Sequence, residues 1–197
     1  MQGSIGNDCL KEIRLHKEKK QKRYYEADEG KRTVYLAQIA GIKAKNIVYI
    51  DETGFDEYYS RKYGYSKRGQ RIIGKEYGRK IYRTNLVAGL ANGRIVAEKL
   101  YRENTSYVLF ENWFANELLP QVKKKAIIVL DNATFHRKTV LRELAKKRKC
   151  RLLFLPPYSP DLNPIEKKWS NTKTYLRDNV KKHKTLQEAI IHYLKTN

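Results

Sequence analysis

Two short runs, NIVYIDET (residues 46–53) and AIIVLDNA (126–133), limit the possible folds more than any other part of the sequence. Each strings together β-branched and other apolar residues and then reaches an aspartate, Asp51 in the first and Asp131 in the second. A strand without polar alternation has both faces covered, so both runs belong inside a sheet flanked by helices. Sites in such sheets gather beyond the carboxyl ends of the strands, where both carboxylates are expected. An aspartate after a strand also serves as a turn residue, and for either acid alone that reading competes with a functional one. The pair shifts the balance toward a site.

The remaining pattern supplies the rest of an α/β fold. RTNLVAGLA (83–91) and RIVAEKLY (94–101) read as strands joined by Asn92-Gly93, a strong signal for a tight antiparallel hairpin. Residues 105–122 carry apolar side chains at 109, 110, 113, 114 and 118, the spacing of a helix packed on a sheet, with Thr105 or Ser106 as its cap. The second aspartate-tipped run is followed by a basic helix (138–149) and a third apolar strand (151–157), a crossover unit. A short helical stretch (33–41) precedes the first strand and an amphipathic helix (185–197) ends the chain. The order β, β-hairpin, α, β, α, β, α predicts a mixed sheet flanked by helices.

Four of the five prolines crowd into FLPPYSPDLNPIEKKW (154–169), immediately before Glu166. Asn163-Pro164-Ile165-Glu166 fits a helix start, with Asn163 as cap, Pro164 first in the helix and Glu166 reaching back to the Asn163 amide. A second reading makes Glu166 a metal ligand. Ile165, Trp169, Thr172, Leu176 and Val180 define the buried face of the following helix. Glu166 falls roughly 80° from the centre of that face, in line with Ser170, Lys173 and Arg177. The prolines then act as a rigid approach that places one carboxylate. Three clustered carboxylates repel one another unless a cation neutralises them, so the set makes physical sense as a divalent-metal site beside a polyanion.

The charge points to that polyanion. Forty-two Lys and Arg against twenty-one Asp and Glu leave +21, the footprint of a protein that displaces counterions from nucleic acid. A soluble or ribosomal basic protein would share the number. A glycosidase, conceivable from two carboxylates alone, fits that charge poorly. YSRKYGYSKRGQR (59–71) interleaves tyrosines with Lys67, Arg68 and Arg71, a mixture suited to stacking and phosphate contact, or to an exposed hairpin. Seven basic residues between 167 and 184, Lys173 and Arg177 among them, face a single acid, Asp178. His136 and Arg137 follow Asp131 in the loop; the histidine is read as a DNA contact or an orienting group, against the plainer case of a loop histidine bonded to backbone. Cys9 and Cys150 lie too far apart in sequence, without partner ligands, to suggest zinc or a disulfide framework. The runs AIIVL and LLFL are too short to cross a bilayer, and a cytoplasmic location is expected.

VYIDETGF, IIVLDNATFHR and above all LPPYSPDLNPIEKKW resemble the catalytic domain of Tc/mariner-superfamily transposases, in the bacterial branch named after insertion sequence 630. The 34 residues between Asp131 and Glu166 (132–165) are similar to the Asp-34-Glu spacing of that superfamily. The resemblance implies a ribonuclease-H-like fold over residues 33–180, with Asp51, Asp131 and Glu166 as catalytic acids and metal ligands. It implies two Mg²⁺ ions, with Mn²⁺ able to substitute, clamping a scissile phosphodiester. The partners it implies are double-stranded transposon-end DNA, a TA target and a second copy of the chain. Full-length relatives carry helix-turn-helix modules upstream. Residues 1–32 are therefore expected to be a basic linker or remnant of such a region, and residues 181–197 a C-terminal helix. A shortened chain of this kind is expected either to act when that module is supplied or to be a non-catalytic DNA-binding or dimerisation fragment that inhibits transposition.

Overall fold

The computed structural model describes residues 24–56, 65–71, 73 and 83–197. Helix α1 (Glu29–Ile39) opens the described fold, with the Asp28 side chain accepting from the Lys31 amide as its cap. It starts four residues before the helical stretch expected at 33–41, inside the charged run taken as linker. A long strand, β1 (Ile47–Asp56), follows and forms the centre of the sheet. The hairpin strands β2 (Arg83–Ala91) and β3 (Arg94–Tyr101) sit at the predicted positions, and the turn between them has Asn92 at φ 50° and Gly93 at φ 78°. Two consecutive positive φ values are what such a two-residue turn requires. Helix α2 (Tyr107–Trp113), capped by Ser106, continues through a π-helical turn (Phe114–Leu118) and a last turn (Leu119–Gln121). Then come β4 (Ile127–Leu130), α3 (Lys138–Lys147), β5 (Arg151–Phe154), α4 (Ile165–Asn179) and α5 (Leu186–Thr196).

The five strands run in the order β3-β2-β1-β4-β5. β2 is antiparallel to both β1 and β3, whereas β4 and β5 are parallel to β1 and to each other, giving the expected mixed sheet. One face carries Val48, Ile50, Val87, Ile128 and Leu130 against Phe110, Trp113, Phe114 and Leu118 of the α2 segment and Leu141 and Ala145 of α3. The other carries Phe55, Leu86, Ala88 and Leu90 against Ile165, Trp169 and Leu176 of α4 and Leu186, Ala189 and Ile190 of α5. Tyr35 of α1 extends that second layer over Ile47, Ile127 and Val129. Burial on both sides explains why β1 and β4 read as unbroken apolar runs.

Asp51 is not at the end of its strand. β1 continues five residues beyond it, because pairing with β2 persists from Asp51↔Ala88 through Asp56↔Arg83. On the other side, however, β4 stops at Leu130, so Asp51 stands where the parallel half of the sheet ends. The β1–β4 register pairs Ile47, Val48 and Tyr49 with Ile127, Ile128 and Val129; continued two steps, it aligns Asp51 with Asp131.

Candidate active site

Asp51 lies on the face that receives α4, and the indole Nε1–H of Trp169 donates to its Oδ2 at 3.0 Å. Trp169 is 1% exposed and belongs to the core, as its place in the apolar stripe predicted. Its second task, holding one oxygen of Asp51, leaves no mark in the sequence pattern. Burial, then the charge of Glu166, push the Asp51 carboxyl up to about 7, with Asp131 adding to the repulsion.

Asp131 occupies the loop after β4, where both the Ala133 amide and the His136 Nε2 lie 3.1 Å from its Oδ1. Burial alone would raise its pKa, but the His136 hydrogen bond, the Ala133 amide and the charges of His136 and Lys138 outweigh it and hold the carboxyl below its ordinary value. Lys138 also donates to Asn132 Oδ1 at 2.7 Å, while Asn132 Nδ2 donates to the Leu155 carbonyl at 2.6 Å. The residues flanking Asp131 are thereby tied to the start of the proline-rich loop.

That loop turns through Tyr158, at φ 54°, and a short 3₁₀ turn (Pro160–Leu162). Arg32 of α1, buried despite its charge, grips Asp161 with two parallel hydrogen bonds of 2.9 and 2.7 Å. The helix cap expected from Asn163 does not form: Asn163 is buried, its Oδ1 has no hydrogen-bond partner, and no side chain caps α4. Instead the Glu166 amide donates to the Asn163 backbone carbonyl at 3.1 Å. The Glu166 carboxyl therefore has no part in a capping box and remains exposed at the start of α4. Burial raises its pKa most, Lys173 opposes the shift and Asp131 adds to it. Asp51, Asp131 and Glu166, from three separate segments, thus sense one another electrostatically.

Glu52 follows Asp51 on β1, where neighbouring residues face opposite sides of the sheet. The structure pairs it with Val87, whose side chain packs on the α2 layer, yet its carboxyl is pushed up to about 8 by burial and by the charges of Asp131 and Asp51. It is a fourth acid in the same field.

The donor set suits a hard cation, since carboxylate oxygens are the usual ligands of Mg²⁺ and Mn²⁺. Among the described residues no three His, Cys, Asp or Glu side chains stand within joint reach of one ion. One or two carboxylates are enough for Mg²⁺, which keeps waters and takes the remaining oxygens from substrate phosphate. Carboxyls raised by burial and further by one another's charge are groups that a divalent cation stabilises, so the residues present fit such an ion.

The basic residues fall into two kinds. Lys67, Arg68 and Arg71 are exposed around a turn at Gly69; residues 59–64 of the same predicted segment lie outside the described part. Arg177 is exposed on α4, and Lys173, half-buried, lies over the Phe55 ring at 5.9 Å. Arg137, in contrast, is already matched: Glu111 accepts two hydrogen bonds from it, at 2.7 and 2.5 Å, and Tyr107 lies beneath its guanidinium. His136 is 7% exposed and turned toward Asp131, not displayed for DNA. Lys138 was not singled out from the sequence, where it was only one of several cations in a basic helix.

Residues 46–188 match the profile of a family described as DDE superfamily endonuclease. Among solved structures, the Mos1 transposase paired-end complex with left transposon end superposes with a TM-score of 0.65 at 16% identity, over 96% of this chain and 65% of that one. The Mos1 mariner paired end complex with Mn gives 0.66 at 16% identity, over 98% and 64%. The catalytic domain of Mos1 mariner transposase alone gives 0.51 at 14% identity, over 85% of each chain. Identities this low speak for the fold, and the fold they show is ribonuclease-H-like. A 54-residue stretch is 41% identical to the uncharacterized protein y4pE/y4sA of Sinorhizobium fredii (strain NBRC 101917 / NGR234), covering 27% of this chain and 35% of that protein. The chain thus spans about a third of that relative. On the strength of a profile that takes in most of its length, the chain belongs to the DDE superfamily endonucleases.

Proposed function

We propose that this chain is the catalytic domain of a transposase of the insertion-sequence-630 branch, cutting DNA at transposon ends and joining the freed 3′-OH to target DNA. The observation that carries the reading is the electrostatic convergence of Asp51, Asp131 and Glu166 from β1, the loop after β4 and the start of α4. In this reading the three acids hold divalent ions, two Mg²⁺ with Mn²⁺ as a substitute. A metal bound there would polarise the scissile phosphate and ease deprotonation of the attacking water. The chain's own residues do the positioning. Trp169 fixes Asp51 from within the core, the proline-rich loop sets Glu166, and the exposed cations of α4 and of the 65–71 segment hold the DNA backbone. Phosphoryl transfer asks little more of a protein than placement and charge neutralisation.

Support for the DNA partner comes from the +21 charge and from the Mos1 structures, which were solved with transposon ends and in a strand transfer complex. Support for the ions comes from Mos1 paired end complexes with Mn and with Mg. A TA target and an active homodimer follow from the same resemblance. The test is cleavage of a duplex bearing the terminal repeats of the chain's own element, in Mg²⁺ and in Mn²⁺. The chain is assayed by itself and fused to a sequence-specific DNA-binding domain that delivers it to the substrate. Cleaved and joined products that vanish in Asp131→Asn and Glu166→Gln are expected. DNA that is bound but never cut, under either ion and in either format, would replace this reading with that of a non-catalytic inhibitory fragment.

A further inference from the structure

His136 is built into the fold in a way that a loop histidine bonded to backbone would not be. Its ring lies between Phe110 of α2 and Phe135, with centroid distances of 4.3 and 4.2 Å, and its side chain is 2% exposed. Its Nδ1 is buried without a hydrogen-bond partner, while its Nε2 lies 3.1 Å from Asp131 Oδ1 and donates to it, since a carboxylate oxygen can only accept. The Ala133 amide ends on the same oxygen, also at 3.1 Å. Two donors converging on Oδ1 fix the carboxylate's rotation and leave Oδ2 as the oxygen available to a ligand.

We propose that His136 is a positioning residue for the metal site: seated in an aromatic slot of the α2 layer, it locks Asp131 so that one defined oxygen is presented to a divalent ion. The inference rests on the metal-dependent reading above and adds to it a residue that touches neither substrate nor ion. Its physical basis is general. A carboxylate held by an outer partner loses less rotational freedom when it binds a cation, and removing such partners weakens metal affinity about ten- to a hundredfold. The aromatic slot matters because it makes the imidazole rigid; a mobile donor would confer little.

The experiment measures Mn²⁺ binding to the whole chain by calorimetry in the absence of DNA, alongside the Mn²⁺ concentration that half-activates cleavage. His136→Gln can place an amide N–H near the original Nε2, whereas the shorter His136→Asn reaches only the Nδ1 position. The expected result is a Mn²⁺ affinity within about threefold of the parent for Gln and a loss of about ten- to a hundredfold for Asn and for His136→Phe. Thermal melts of all three variants run in parallel, and the two amides carry the conclusion if the Phe variant fails to fold. Equal Mn²⁺ affinity for Gln and Asn, in folded proteins, overturns the role of His136. Asp131→Asn separates the two levels: if it abolishes Mn²⁺ binding while the His136 variants bind like the parent, only this inference fails. If Asp131→Asn itself binds Mn²⁺ like the parent, the metal reading falls and the inference with it.

Discussion

Asp51 and Asp131 are the same residue type on neighbouring parallel segments, aligned by a continued register, yet their surroundings drive them in opposite directions. Asp51 is set within a strand, half-buried, and faces Glu166, so its pKa rises to about 7. Asp131 sits one step beyond its strand, more open to solvent, among His136, the Ala133 amide and Lys138, and its pKa falls. The difference shows that the end of β4, and not the residue type, decides which acid holds its charge. Environments that split a pair of carboxylates in this way are typical of sites that assign them different tasks.

The comparison can be broken most severely at the level of chemistry. If both acids are ligands, Asp51→Asn and Asp131→Asn each reduce DNA cleavage by more than about a hundredfold, because even outer partners of a metal site are worth ten- to a hundredfold. A variant of either that still cuts at a tenth of the parent rate would remove that acid from the reaction. Next in size is Trp169→Phe, which keeps the ring in the core and deletes the donor to Asp51. Losing a hydrogen bond to a charged group costs about 1.5–3 kcal/mol, read from urea unfolding. Because that bond lowers the Asp51 pKa, the variant also shifts the acid limb of the cleavage pH profile toward higher pH.

A third measurement sharpens the contrast through stability in chelator. The folded protein holds the Asp51 proton more tightly than the unfolded chain does. Stability from this group is therefore complete below the unfolded value and is lost as pH rises through about 7. Asp51→Asn is thus expected to match the parent near pH 4 and to exceed its Tm at pH 8, by roughly 2–4 °C for each kcal/mol that ionising this carboxyl costs the fold. For Asp131 the sign reverses: its contribution is present above the unfolded value and lost as pH falls through the lowered one, so Asp131→Asn loses Tm at pH 8. Tm changes of the same sign in both variants would show that the two environments do not differ as described. The smallest effect concerns DNA affinity. Arg177→Ala is expected to reduce the slope of log affinity against log salt by about one, and Arg137→Ala, whose charge Glu111 already matches, by less.

Much of this was legible in the sequence where the signal is local. The Asn92-Gly93 turn fixed the β2–β3 hairpin, and the apolar runs located β1 and β4 because burial on both faces leaves no polar alternation. The length of β1 was not legible: past Asp51 the strand persists through backbone pairing with β2, which places little demand on residue type. The start of α1 was hidden in a run of charges, since the partner that makes Arg32 a buried residue, Asp161, is 129 positions away. For Glu166 the sequence allowed a helix cap or a metal ligand, and only the three-dimensional position of Asn163, buried with an unpaired oxygen, removes the cap. Trp169 and His136 illustrate one further limit. Apolar periodicity reports that a side chain is inside, but it says nothing about where a ring nitrogen points.

The Arg32–Asp161 clasp couples two stretches that the chain encounters far apart. Asp161 is five residues ahead of Glu166, and the 3₁₀ turn and Pro164 stiffen the interval, so a displacement of α1 is passed toward Glu166 and not absorbed in a slack tether. A shift of α1 is thus felt at the start of α4, on the far side of the loop.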